Sequence, residues 1–172
     1  MMRWLTLVPM LLSCLLMGCT METTAQSITA SPNQTVALGQ VLPISAIAIV
    51  PNGTRIELEV ARTPEQQAQG LMYRPTLPNN RGMLFQFPSA QRVQFWMKNV
   101  PVPLDMVFLR NGVIQYIQTA ARPCASEPCP TYGPNVPIDQ VIELRAGRAR
   151  ELNLRNGDRI NIEFFDVGTI PQ

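Results

Sequence analysis

Residues 95–119 read FWMKNVPVPLDMVFLRNGVIQYIQT and carry the clearest signals of strand pairing in the chain. Its Asn111-Gly112 pair is the dipeptide most typical of a two-residue hairpin turn, and apolar runs flank it on both sides. The sequence therefore predicts a hairpin of two strands, Leu104–Arg110 and Val113–Thr119. Because residues 106–109 are apolar without alternation, the first of these strands is predicted to be buried on both faces.

Two opposite charges stand inside this apolar stretch. Lys98, the only lysine in the chain, lies between Trp96 and a rigid Pro-Val-Pro turn, and Asp105 lies in the buried strand. Charged groups are rarely buried unless they are paired. We therefore predict a partly buried polar site at which Lys98 and Asp105 meet. The carboxylate would keep Lys98 protonated, which makes this lysine a poor nucleophile.

The patterns on either side predict further strands. Residues 55–61 alternate, with Ile56, Leu58 and Val60 on one face, which is typical of a half-buried strand. Trp96 and Lys98 share one face of their own strand. The other predicted strands are Ile44–Val50, Met83–Phe87, Val93–Lys98, Val141–Leu144 and Arg159–Phe165, and a turn is predicted at Pro88–Gln91.

Two short helices complete the predicted fold. Thr63-Pro-Glu-Gln66 has the residues of a capping box with proline at the first helical position, and it predicts a helix to about Gln69. A second short helix is predicted at Arg148–Leu152. The fold class is therefore α+β: a compact β-rich domain with a mostly antiparallel curled sheet or a small barrel and two short helices.

The first 45 residues precede this domain. Arg3 and the apolar run Trp4–Met17 are typical of a signal peptide, and the run is too short for a membrane-spanning helix. Leu16-Met-Gly-Cys19 resembles a bacterial lipobox, which implies removal of residues 1–18, diacylation of Cys19 (palmitate-type) and a place in the cell envelope. Cys14 fits the pattern only loosely, and a plain secretory signal or an uncleaved anchor are alternatives.

The composition of residues 19–45 differs from that of the domain. This segment is rich in Thr, Ser, Gln, Ala and Pro and carries one charge, so it predicts a flexible tether after the lipidated cysteine. The folded domain is expected over residues 46–170. The anchor would make the membrane a partner of the chain.

Cysteine, histidine and charge content narrow the chemistry. Cys124 and Cys129 lie in a Pro-rich loop, and because an exported domain is in an oxidising compartment we predict a disulfide between them. The chain has no histidine, which excludes His-dependent catalysis and argues against a metal site. No cofactor is expected. The near-neutral charge without a basic stripe argues against nucleic acid as a partner.

Six short motifs in order along the chain resemble a known family, the domain of unknown function 192 (DUF192). They are GLMYR at 70–74, GMLF at 82–85, FWMKN at 95–99, PLD at 103–105, VIEL at 141–144 and NGD at 156–158. Together they cover about residues 54–166. The resemblance implies a small β-rich domain that is often exported, and it assigns no activity to any residue.

We predict a non-catalytic binding module for a small ligand or another envelope protein. A ring for stacking, cations and amide donors within apolar sequence are typical of a ligand pocket. The candidate ligand-binding residues are Arg74, Trp96, Lys98, Asn99, Asp105 and Glu143.

Two other interpretations stay open. In the first, Lys98 with Asp105 and Arg74 with Glu143 are ion pairs that only stabilise the fold of an envelope domain. In the second, the chain is a hydrolase-type enzyme that uses Asp105 with Glu143, or Lys98. No residue is singled out as catalytic.

Overall fold

The computed structural model of this chain describes residues 39–166. The predicted signal peptide, the predicted lipidation site Cys19 and the predicted tether up to residue 38 lie outside the described residues. Neither helix within residues 39–166 has the length and apolar composition of a membrane-spanning segment.

The described part of the chain forms nine strands and two short helices. In chain order they are β1 (Ile44–Ile49), β2 (Arg55–Ala61), α1 (Pro64–Gln69), β3 (Arg81–Gln91), β4 (Phe95–Trp96), β5 (Leu104–Arg110), β6 (Val113–Ala121), β7 (Thr131–Tyr132), β8 (Ile138–Arg145), α2 (Arg148–Glu151) and β9 (Asn161–Phe164). The predicted α+β class with two short helices is confirmed. Thr63 caps α1 through the predicted capping box. Its side chain accepts the backbone N–H of Gln66, and the side chain of Gln66 accepts the backbone N–H of Thr63.

Seven of the strands form one curled sheet in the order β6-β5-β8-β3-β2-β1-β9. Only β2 and β3 pair in parallel, and α1 lies in the connection between them. A single bridge between Val113 and Arg159 draws the two ends of the sheet together near the Asn111-Gly112 turn, but β6 and β9 do not pair. The mostly antiparallel curled sheet is therefore confirmed, and the sheet does not close into a barrel.

Both faces of the sheet are covered by apolar packing. One face carries the cluster of Leu58, Leu84, Val107 and Ile142, on which α2 packs through Ala149. The opposite face carries a second cluster that includes Met83, Phe85, Met106 and Phe108. β5 supplies side chains to both clusters, so the prediction that this strand is buried on both faces is confirmed.

Two local predictions around β3 and β4 are wrong. Pro88–Gln91 is not a turn, because β3 continues through it as an irregular, exposed end whose register against β8 shifts between Gln86 and Gln91. The strand predicted at Val93–Lys98 is shortened to Phe95–Trp96. β4 pairs only with the two-residue β7, outside the large sheet, so its length is limited by that partner.

Candidate ligand cleft

An apolar cleft lies between α1 and β4, over the second cluster. Its volume is about 400 Å³, within the range typical of small-molecule sites. Gly70 ends α1 at a φ of +48°, and a side chain there would meet the ring of Phe85 at 3.3 Å. The glycine therefore lets the end of the helix lie close to the floor of the cleft. The lining residues are Gln67, Ala68, Phe85, Phe87, Val93, Gln94, Phe95 and Trp96.

Trp96 forms the exposed wall of this cleft. It keeps 47% of its surface open to solvent, so its ring is accessible to a ligand in the cleft. The Nζ of Lys98 lies 5.4 Å from the centre of the Trp96 ring, a cation–π distance, which agrees with the prediction that the two side chains share a face.

Glu143 lies beneath the cleft, in the middle of β8. Its register partners are Met83 on β3 and Met106 on β5, and it lines a cavity of about 30 Å³ together with Phe95 and Trp96. The side chain is 4% exposed, and burial alone raises the pKa of its carboxyl to about 8. Among residues 39–166 this carboxyl has neither an ion pair nor a hydrogen bond. At neutral pH it is therefore mostly an uncharged acid.

Lys98 does not pair with Asp105, and that part of the prediction is wrong. The Nζ of Lys98 lies 2.5 Å from Oε1 of Glu127, in the loop between Cys124 and Cys129. The hydrogen bond and the positive charge from Lys98 hold the pKa of Glu127 below its ordinary value. Because Lys98 lies in a turn and is 38% exposed, it reaches solvent and the loop rather than the buried strand.

Asp105 is fully buried, and its hydrogen-bond partners are backbone N–H groups rather than a cation. Its carboxylate accepts hydrogen bonds from the N–H of Ala120 at 2.8 Å and from the N–H of Ala149 at 2.9 Å. Ala120 lies in an irregular end of β6 with a φ of +47°, and Ala149 lies in the first turn of α2. The aspartate thus joins the end of a hairpin to the start of a helix, and it does not reach the cleft.

The predicted pair of Arg74 with Glu143 is also wrong. Arg74 donates to both carboxylate oxygens of Glu59, at 3.0 and 2.8 Å, and Glu59 also accepts the N–H of Leu42. The alternation of residues 55–61 predicts that Glu59 faces solvent. In the structure the chain around Arg74 covers that face of β2, so Glu59 is 1% exposed. A buried acid opposite an arginine in a later loop leaves no local sequence signal.

Asn99 orders the loop after α1. Its side-chain amide donates a hydrogen bond to the hydroxyl of Tyr73 at 2.8 Å, and its backbone carbonyl accepts one from the backbone N–H of Tyr73 at 2.7 Å. Of the six candidate residues, the structure thus brings Trp96, Lys98 and Glu143 to the cleft region, whereas Arg74, Asn99 and Asp105 have structural contacts elsewhere. Sequence reasoning missed the rest of the lining, because Phe85, Phe87, Val93 and Phe95 read as ordinary core.

The disulfide between Cys124 and Cys129 is formed as predicted. The N–H of Cys124 donates to the carbonyl of Met97, so the disulfide loop is fastened just beyond β4. Together with the contact between Lys98 and Glu127, this places the loop beside the residues that follow Trp96.

The sequence profile of one family, described as "Uncharacterized ACR", matches residues 47–162. This chain belongs to the DUF192 family. A comparison with curated proteins finds no match.

Two crystal structures share the DUF192 chain's fold. One is a protein of Sinorhizobium meliloti 1021, described as a candidate transcription regulator; it is 36% identical, with a TM-score of 0.62 over 72% of this chain and 97% of that one. The other is a protein of unknown function from Novosphingobium aromaticivorans DSM 12444, 28% identical, with a TM-score of 0.63 over 73% of this chain and 91% of the other.

Proposed function

We propose that this DUF192 protein is an exported, lipid-anchored protein of the cell envelope whose domain is a non-catalytic binding module. The observation that carries the proposal is the apolar cleft beside Trp96, which combines an exposed ring with a floor of buried aromatic side chains. Such a cleft takes an apolar ligand group, and a few polar groups at its edge orient the ligand. Gln67 and Gln94 are the polar groups that line the cleft, Lys98 lies beside the Trp96 ring, and Glu143 lies in the small adjoining cavity.

The positions of the charged residues support binding over catalysis. Asp105 and Glu143 point to opposite faces of the sheet, so they do not act on one bond as paired carboxylates. Lys98 is engaged with Glu127 in a solvent-facing contact, so its Nζ is held by a carboxylate of the disulfide loop rather than directed into the cleft.

Nucleic acid is not favoured as a partner. Several arginines in the described part of the chain are already paired with acids, including Arg74 with Glu59, Arg81 with Glu57, and Arg145 with Glu151. DNA binding depends on a surface of free basic side chains, and the arginines in these pairs are not free. The description of the Sinorhizobium relative as a transcription regulator is therefore not carried over to this chain.

Trp96 itself reports on the cleft. The chain has two tryptophans, and in a full-length Trp4→Phe variant Trp96 is the only one. We expect 2-phenylethanol, a neutral aromatic probe, to shift the emission of Trp96 in a saturable titration. Ala68→Leu, which fills the cleft from α1, should weaken the response, whereas Ala90→Leu on the exposed end of β3 should leave it unchanged. The binding cleft would be refuted by an emission change that does not saturate, or by one that is equal in the Ala68→Leu and Ala90→Leu variants.

The lipid anchor is tested separately, with the two N-terminal cysteines as matched positions. We expect Cys19→Ser to abolish labelling by a palmitate analogue and to release the protein from the membrane fraction, while Cys14→Ser does neither. Acylated, membrane-bound protein in the Cys19→Ser strain would contradict the anchor.

A further inference from the structure

Glu143 differs from the two other buried acids in the described part of the chain. Glu59 has Arg74 as a partner, and Asp105 has two backbone N–H groups. Glu143 has neither, although it lies between two methionines where an apolar side chain would pack without penalty. An acid without a partner in the described part of the chain, in a small cavity that shares Phe85, Phe95 and Trp96 with the cleft, points to a group that arrives from outside.

The surroundings of Glu143 favour a cation as that group. The residues that line its cavity are otherwise uncharged, so its ionised form has no counter-charge there. A ligand cation would stabilise the carboxylate by a charge-assisted hydrogen bond in a site with little water. The aromatic rings above also favour a cation, and Trp96 already holds one ammonium of this chain, that of Lys98, near its ring.

The size of the cavity limits the cation. About 30 Å³ holds one or two water molecules, which is enough for a primary ammonium group. The cleft of about 400 Å³ shares Phe85, Phe95 and Trp96 with this cavity and offers room for an apolar body. The two spaces therefore suit the two ends of one molecule.

We propose that the cleft binds a primary amine on an apolar body, with the ammonium on the Glu143 carboxylate and the body between α1 and the ring of Trp96. This inference rests on the proposed function and names the ligand class for the same cleft. Binding is coupled to a proton: the ammonium stays charged, Glu143 gives up its carboxyl proton to solvent, and a neutral acid becomes one half of an ion pair.

Other charged groups near Glu143 do not take this role. The elements packed around it carry Glu65 on α1, Arg81 at the start of β3, and Asp105 and Arg110 on β5, and Arg92 follows the end of β3; none of these lines the cavity. Lys98 follows β4 and is held by Glu127. Tyr132 on β7 packs against the same cluster from outside the cavity. The proton released on binding is therefore assigned to Glu143.

The test uses the full-length Trp4→Phe chain and three probes of similar shape: 2-phenylethylamine, neutral 2-phenylethanol and anionic 3-phenylpropanoate. Trp96 emission gives each dissociation constant at pH 6.5 and pH 9, below the point where an alkylammonium loses its proton (about 10.4 for Lys). We expect the amine to bind about tenfold or more tightly at pH 9 than at pH 6.5, because deprotonation of Glu143 no longer opposes binding. The alcohol should bind equally or more weakly at pH 9. Calorimetry in two buffers of different ionisation enthalpy should show proton release for the amine at pH 6.5.

Two variants decide which carboxylate is responsible. Glu143→Gln keeps the shape of the side chain but not its charge, and it should abolish the pH dependence and the preference for the amine. Glu127→Gln removes the exposed carboxylate near Trp96 and should retain both. Loss of the preference in Glu127→Gln with retention in Glu143→Gln would overturn the assignment. If alcohol and amine bind alike at both pH values, the ammonium site is refuted and the apolar cleft stands. If no probe perturbs Trp96, both proposals fail.

Discussion

Asp105 and Glu143 lie on neighbouring strands of one sheet, but their side chains point to opposite faces. Asp105 stands opposite Leu144 in the pairing of β5 with β8, and Glu143 stands opposite Met106, one position further along. Successive residues of a strand face opposite ways, so the Asp105 carboxylate faces α2 and the Glu143 carboxylate faces the small cavity beside the cleft. The two acids therefore have separate physical roles.

Asp105→Asn is expected to destabilise the domain by about 2–4 kcal/mol, because each oxygen of the buried carboxylate accepts one backbone N–H and an amide NH₂ would face one of these two donors. Urea unfolding monitored by circular dichroism measures the loss. Asp139→Asn is the matched control, since Asp139 is only partly buried and accepts a single backbone N–H, that of Asn111. A cost at Asp105 no larger than that at Asp139 would contradict a structural clamp.

Glu143 should make the domain less stable as pH rises. The pKa of its carboxyl is raised from 4.5 to about 8 in the folded state, so between these values the folded chain holds a proton that the unfolded chain has released. Stability therefore falls as pH rises from about 4.5, and the fall levels off above about 8. The penalty at pH 7 is on the order of 3 kcal/mol.

Glu143→Gln tests this sign because glutamine does not titrate. Relative to the parent chain, the variant should gain stability between pH 5 and pH 9, as measured by urea unfolding at pH 5, 7 and 9. A difference between parent and variant that is flat across this range would show that the acid is not held neutral by burial.

Much of the fold follows from local sequence signals. The Asn111-Gly112 turn, the Thr63 capping box and the apolar run of β5 each act within a few residues, so the hairpin, α1 and the buried strand were predicted correctly. β4 was predicted too long because the pairing that sets its length comes from β7, more than thirty residues later.

The site was predicted less well, for a related reason. The rule that a buried charge needs a partner holds for Asp105, but the partners are backbone N–H groups of Ala120 and Ala149, which no residue type reveals. Lys98 forms an ion pair with Glu127, which lies in a loop that only the folded chain brings next to Lys98. Glu143 entered the candidate set as an acid in an apolar strand, yet its lack of a partner is visible only in three dimensions.

Lys98 is expected to be open to modification in the folded protein. It is partly exposed and its contact with Glu127 lies at the surface, so the pair adds little to stability. Because it is the only lysine, an amine-reactive reagent should give one internal adduct under native conditions, located by peptide mass spectrometry. Lys98→Met should leave the urea midpoint unchanged. Full protection of Lys98, or a large drop in the midpoint, would indicate a buried pair instead.

Arg74→Met is expected to cost about 3–5 kcal/mol, because it leaves the Glu59 carboxylate buried without its cation. Adding Glu59→Gln should recover much of this loss, since glutamine keeps an oxygen to accept the N–H of Leu42 and carries no charge. Arg81→Met is the control: its pair with Glu57 is 3.0 Å long, but both side chains are more than a third exposed, so its removal should cost less than about 1 kcal/mol. Urea unfolding of the four chains gives the comparison. Equal costs at Arg74 and Arg81, or no recovery in the double variant, would show that burial does not set the strength of the Arg74 pair.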